Sequence, residues 1–249
     1  MHLPGAIELQ MITKLDSVSF DTLLQEQDPF GSGKGKFDLK SVQLITPAAL
    51  TQLAAAVHAL SADGLHPEIA IEQESVRTYL LRAGFIEVIR AVAQVEPPFS
   101  GTMGYDRLRG SNPMLIEVTR IETGSGLPDL LDKIVWVLRH RLKYRKYDAF
   151  DVATGISEIC QNTFDHNQGT CGFLAMQVYG KGAKRFLEIG VADYGGGIMA
   201  TLRRNPKNHN ISTDIEAIRE ATKLGTSEHD DPTRGTGLYH LLEDGRAHV

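Results

Sequence analysis

Between Ile156 and His166 the chain sets a carboxylate at Glu158, a carboxamide at Asn162 and an imidazole at His166, four residues apart at each step. In an α-helix that interval stacks the three side chains along one face. Ile156, Ile159, Cys160 and Thr163 fall on other parts of the same helix surface, where they can anchor it to a sheet while the polar row stays accessible. A helix of this kind needs an apolar floor on one side and polar space on another, which limits the folds open to the chain. The same pattern also suits an amphipathic helix with a solvated side, and the residues downstream have to separate the two readings.

Composition sets the outer limits. With 249 residues, 42% of them hydrophobic and 23% charged, the chain is long enough to bury a substantial core as one large or two ordinary domains, and two suit the pattern better. No stretch approaches the ~20 apolar residues that a spanning helix needs, so no membrane role is expected. Lys plus Arg number 26 against 31 for Asp plus Glu, a formal charge of −5. Nothing in that balance points to nucleic acid. The basic run Arg139, Arg141, Lys143, Arg145 and Lys146 reads as a solvated helix end rather than a binding patch. Cys160 and Cys171 lack metal-ligand spacing and stand in apolar surroundings, as buried thiols of a reducing compartment do. The N-terminus has no charged-then-apolar signal layout, which makes the cytoplasm the expected location.

Residues 1–36 form an N-terminal segment of unassigned role, with a strand expected over 6–12 and a short helix over 20–25. The run Gly31-Ser32-Gly33-Lys34-Gly35-Lys36 offers backbone N–H groups of the kind that cradle phosphate. The phosphate-loop pattern, however, needs a glycine five positions before the Gly-Lys pair and Ser or Thr after it, where Phe30 and Phe37 stand, so the run reads as a turn. From 37 to 96 strand and helix alternate. A strand over 37–44 is followed by a helix over 46–60 with Thr46 as its N-cap and Pro47 at its start, then a strand over 68–71 and a helix over 75–92. That alternation implies a small α/β sheet. Paired prolines and glycines over 96–104 mark a boundary, with 97–113 as linker. The remainder, 114–249, runs as a strand over 114–121, a helix over 128–144, the polar-row helix from about 150, and two hairpin-joined strands over 171–179 and 185–191. His140 reads as an ordinary surface histidine.

The second of those strands ends in Ala192-Asp193-Tyr194-Gly195-Gly196-Gly197. A carboxylate there can accept a hydrogen bond from an exocyclic amine, and the bare backbone at Gly195 and Gly197 leaves room for a flat ring. Further on, Lys223-Leu224-Gly225-Thr226-Ser227 and Arg234-Gly235-Thr236-Gly237-Leu238 bracket a polar segment. The second bracket opens an apolar helix whose first N–H groups can bind phosphate. Between the glycine clusters, residues 203–214 are polar and read as a mobile loop.

In this order, the polar helix row, Asp-x-Gly-x-Gly and Gly-x-Gly resemble the GHKL superfamily of gyrase-type ATPases, heat-shock chaperones, histidine kinases and anti-sigma-factor serine kinases, the last most closely. The resemblance implies an α/β fold of the Bergerat type over 114–249, a two-layer sandwich with ATP between helix and sheet. Carried over by position, Asn162 gives its carboxamide oxygen to Mg²⁺, and Glu158 orients or deprotonates the attacking water or hydroxyl. Asp193 reads the adenine amino group while Gly195 and Gly197 make room for the base, and Gly235, Thr236 and Gly237 cradle phosphates. Lys223 and Arg234 neutralise phosphate charge or stay solvated on the lid. His166 belongs to the anti-sigma kinase variant of the row, or packs at the helix end. Residues 41–85 resemble the STAS domain of anti-sigma-factor antagonists, which implies a docking module over 37–96; Thr46-Pro47-Ala48-Ala49 stands where that family commonly carries a phosphorylatable serine. In the GHKL family further strands follow the last glycine helix, so the sheet here is expected to be incomplete at its C-terminus, with an unpaired edge. ATP, Mg²⁺ and a protein partner docking through the STAS-like half or the lid are implied, with a homodimer left open. The function expected is that of a kinase-like protein or an ATP-driven switch. A nucleotide-gated interaction module without turnover and a structural α/β protein whose glycines only make turns are the alternatives.

Overall fold

The computed structural model of the chain describes residues 12–99, 115–122, 126–165 and 170–223, which form a mixed α/β structure. A short strand β1 (Lys14–Leu15) leads into helix α1 (Ser17–Gln27). The helix start is held by a reciprocal cap: the Asp16 carboxylate accepts from the Ser19 N–H at 3.0 Å, and the Ser19 hydroxyl accepts from the Asp16 N–H at 2.8 Å. The Ser19 N–H, then the Lys14 ammonium, draw the Asp16 carboxyl down to about 2.

Strands β2 (Lys36–Asp38) and β3 (Leu44–Ile45), helix α2 (Pro47–Ala62), strand β4 (Glu68–Ala70), helices α3 (Glu74–Arg82) and α4 (Phe85–Ile89), and strand β5 (Gln94–Glu96) follow. β2, β4 and β5 form a parallel sheet in that order. Parallel neighbours need crossover connections, which α2 supplies first and α3 with α4 second. β3 pairs instead with β1, so the strand expected over 37–44 is two short strands in different sheets. The Asp38 carboxylate accepts from the Lys40 N–H at 3.1 Å and turns the chain between them. The helix expected over 75–92 breaks at Gly84, whose φ of 70° is the left-handed conformation that a side chain disfavours. Pro47 opens α2 as expected. Thr46 stands at its N-cap position, but the buried Thr46 hydroxyl makes no capping bond. Buried Arg77 donates to the carbonyls of Ile71 at 3.3 Å, Pro97 at 2.7 Å and Pro98 at 3.2 Å, tying the chain that leaves β5 back to the end of β4.

Strand β6 (Leu115–Ile121), helices α5 (Leu127–His140) and α6 (Lys146–Asp165), and strands β7 (Gly172–Tyr179) and β8 (Phe186–Asp193) form the second half, with β6, β7 and β8 in one antiparallel sheet. Successive strand residues point to opposite faces. Leu174, Met176 and Val178 therefore join Leu187, Ile189 and Val191 against α5 and α6, while Phe173 and Ala175 look the other way.

That second face is covered by α2. The helix is buried nearly all round, and its run of alanines keeps it slim enough to lie between the parallel sheet and the antiparallel one. On β8, a Cβ added at Gly190 would stand 2.5 Å from the Pro47 carbonyl oxygen and 2.6 Å from the Ala48 Cα. The Val118 N–H, at a bulge in β6, donates to the Ala83 carbonyl at 2.7 Å. Val118, Cys171, Phe173 and Ala175 share one apolar cluster with Phe37, Leu53 and Phe85. The two halves of the sequence on either side of 97–113 thus share a core.

Beyond β8 come helix α7 (Gly197–Leu202), a 3₁₀ turn (Pro206–Asn208) and helix α8 (Asp214–Ala221), which starts with a Thr213–Glu216 capping box. Leu202, Ile211, Ala217 and Ala221 form a small apolar cluster of their own. The stretch 203–214, read as a loop from its polar composition, therefore carries a helical turn and an anchor at Ile211. No described helix is long and apolar enough to cross a membrane.

Candidate functional site

Helix α6 carries the polar row. Its buried stripe is Ala149, Ala153, Ile156, Cys160 and Thr163. At about 100° per residue, Glu158 and Asn162 lie roughly opposite that stripe, and both are half-buried. The stripe seats on the sheet at a defined place. A Cβ added at Gly172 would stand 2.4 Å from the Thr163 Oγ1 and 2.6 Å from its Cβ, so α6 rests directly on the first residue of β7. The buried Thr163 hydroxyl donates back to the Cys160 carbonyl at 2.8 Å, so its polar atom is satisfied inside the contact.

Gly172 is the register partner of Asp193 on one side and of Ile121 on the other. Residues directly opposite one another share a face of the sheet. Ile121 packs with α5 and α6, so Asp193 also lies on the α6 face, at the end of the sheet where Thr163 sits. Asp193 is exposed, and one of its carboxylate oxygens accepts from the Gly195 N–H at 2.8 Å. Gly195 is half-buried. Gly197 has a φ of 78° with open space where a side chain would be. Asp193 and the C-terminal end of α6 thus lie at the same end of the antiparallel sheet, with Asn162 next to Thr163 in sequence but on the side of the helix turned away from the sheet, and Glu158 one turn further along. A cavity of about 390 Å³ opens between the end of β6 and the start of α5, lined in part by Arg120, Ile121, Glu122, Leu127 and Leu130.

Other expected positions fall elsewhere. Lys223 is exposed and pairs with Glu220 on the preceding helical turn. His166, Arg234, Gly235, Thr236 and Gly237 lie outside the described residues. Both cysteines are buried and free. Burial pushes the Cys160 thiol up to about 12, which leaves it inert. Behind Asp193, on the α2 face, Cys171 Sγ lies 3.0 Å from Arg120 Nε and 3.7 Å from the Tyr194 hydroxyl. Among the described residues no cluster of three His, Cys, Asp or Glu side chains is placed to hold a metal ion; Asn162 could contribute one carboxamide oxygen. The importance of Gly172 and Ile121 had no signal in the sequence, because both act through strand register. No protein-family model matches the chain, and neither does any curated protein or solved structure.

Proposed function

We propose that the chain is an Mg²⁺- and ATP-binding regulatory protein of the GHKL type, acting in the cytoplasm on a protein partner, with the STAS-like half as its docking module. One observation carries the reading: the Ile121–Gly172–Asp193 row puts the strand-end carboxylate on the sheet face that α6 covers, at the point where Thr163 seats the helix.

The donor set suits the ligand. One Asp193 oxygen is held by the Gly195 N–H, which orients the carboxylate and leaves its other oxygen to accept from an exocyclic amine. The open space beside Gly197 would admit a ring. Asn162 would give an oxygen to Mg²⁺, an ion that keeps most of its shell as water and phosphate oxygens and so asks little of the protein. Glu158 would hold or remove the proton of an attacking water or of a partner's hydroxyl. Bound ATP would supply the transferable phosphoryl group; the chain's part is to orient, exclude water and move that proton.

A second reading, a nucleotide-gated switch without turnover, draws on the separate cluster of Leu202, Ile211, Ala217 and Ala221. A unit packed mainly on itself opens more easily than one built into a main core, as a lid must. In thermal-shift and calorimetric titrations with Mg·ATP, Asp193→Asn should weaken binding strongly, whereas Glu158→Ala should keep binding and lose turnover. Unchanged affinity in the Asp193 variant would sink the proposal. Incubation with γ-labelled ATP and candidate partners separates the forms: labelled protein marks a kinase, free phosphate an ATPase, and neither marks the switch.

A further inference from the structure

The end of the second half remote from Asp193 carries a feature that the nucleotide reading does not use. The last turn of α5, the connection to α6 and the first residue of α6 expose Arg139, Lys143, Arg145 and Lys146, and the β7–β8 hairpin exposes Lys181 and Lys184. These segments lie about 40 residues apart in sequence and are joined in space, because Arg185 of the hairpin donates to the backbone carbonyl of Arg141 in the turn. Arg145 pairs with Asp148 at 2.8 Å. The other five cations make no ion pair among the described residues. Aromatic rings stand among them: Tyr147 is 80% exposed, Phe186 57%, and Tyr144, Phe150 and Trp136 are all exposed. Lys146 Nζ lies 5.9 Å from the Phe150 ring centre, and the Arg141 guanidinium 5.1 Å from that of Trp136.

We infer that this surface binds single-stranded nucleic acid. Cations supply contacts to successive phosphates, and exposed rings give bases a face to stack on, a pairing that sequence-tolerant single-strand binders rely on. An acidic peptide would use the cations but has no need of the rings. A membrane surface would call for a continuous apolar face, whereas here the rings are interspersed with charge and two are tyrosines. The proposal departs from the expectation drawn from net charge, which averages over the whole surface and takes no account of where the fold gathers its cations. The surface is also independent of the nucleotide site. Tyr147 and Asn162 are 15 residues apart on α6, roughly 22 Å along the helix, and Phe186 and Asp193 stand at opposite ends of β8.

Anisotropy of a fluorescent oligothymidylate of about 16 nucleotides, titrated with the full chain, should give a Kd of about 1–100 µM at physiological salt and a logarithmic salt slope of about −0.7 per contacted phosphate. Lys143→Glu, Lys181→Glu and Lys184→Glu combined should weaken binding by about tenfold or more and flatten that slope. Tyr147→Ala should weaken it severalfold with the slope unchanged, because it removes stacking rather than charge. Lys143→Gly separates binding from folding: Lys143 has a φ of 65°, so glycine there should hold or raise the melting temperature while affinity falls. None of these variants should alter the Mg·ATP thermal shift, so the two proposals stand or fall separately. Polyglutamate and phosphatidylserine vesicles serve as competitors. Absence of binding, binding indifferent to Tyr147→Ala, or equal displacement by either competitor overturns the inference.

Discussion

His58 shows how a single side chain takes its chemistry from its surroundings. It is buried on α2, with Nε2 3.1 Å from the Val88 carbonyl oxygen and its ring centre 4.9 Å from that of Phe173. Loss of hydration lowers its pKa below the ordinary histidine range, and the Val88 contact only partly opposes this. An unfolded chain takes up the proton near about pH 6.5 while the folded one still refuses it. His58 therefore supports the fold fully above that pH, and the support fades as the pH falls through it and below. Melting temperatures followed from about pH 8 down to about pH 5 should decline for the native chain, and His58→Gln should reduce the decline. Equal slopes would count against it. Nothing in the sequence marks His58 for this, since one histidine in an alanine-rich helix has no sign of what lies opposite. Glu158 and Asn162, by contrast, were legible because their four-residue interval is a property of the helix alone.

At the scale of the element, the C-terminal end of α6 is seated by a close contact with β7 at Gly172. The Thr163 side chain occupies the space that a Gly172 Cβ would need, with 2.4 Å to Oγ1. Gly172→Ala should therefore lift the C-terminal half of α6 off β7 and raise the Kd for Mg·ATP with Asn162 and Asp193 chemically intact. It should also cost about 1–3 kcal/mol in stability from overpacking, measured by denaturant titration. An unchanged Kd would show that the helix is seated elsewhere. Most helices were legible from apolar spacing: α2 was expected over 46–60 and runs Pro47–Ala62, and α5 was expected over 128–144 and runs Leu127–His140. Short elements were less so. The expected 75–92 helix continues its periodicity across Gly84, where the backbone turns left-handed, and β5 is three residues long, too short for alternation to register.

Across the whole molecule, α2 is the shared layer between the parallel sheet and the antiparallel one. Gly190 sits at the tightest part of that contact, with backbone atoms of Pro47 and Ala48 within 2.6 Å of any added Cβ. Gly190→Val should force the layers apart and lower the melting temperature by about 4–8 °C or more. Because the core is common, fluorescence of the single tryptophan, Trp136, and far-UV circular dichroism should still report one coincident transition. Two separate transitions would mean that the halves fold independently. The boundary expected over 97–113 rests on a break in pattern, its prolines and glycines, and residues 100–113 lie outside the described residues. That the chain crosses it and returns to the same core was not legible, because a break in local pattern carries no information about long-range packing.

The sequence by itself determined where the polar row, the strand-end acid and most helices lie, because each is a local period or a local backbone preference. Only the tertiary structure decided that Asp193 shares a face with α6, that α2 is buried on both sides, and that cations from two segments form one surface. Each of those depends on strand register or on the partner that an apolar face meets. A periodic pattern says that a face must be covered; it does not say by what.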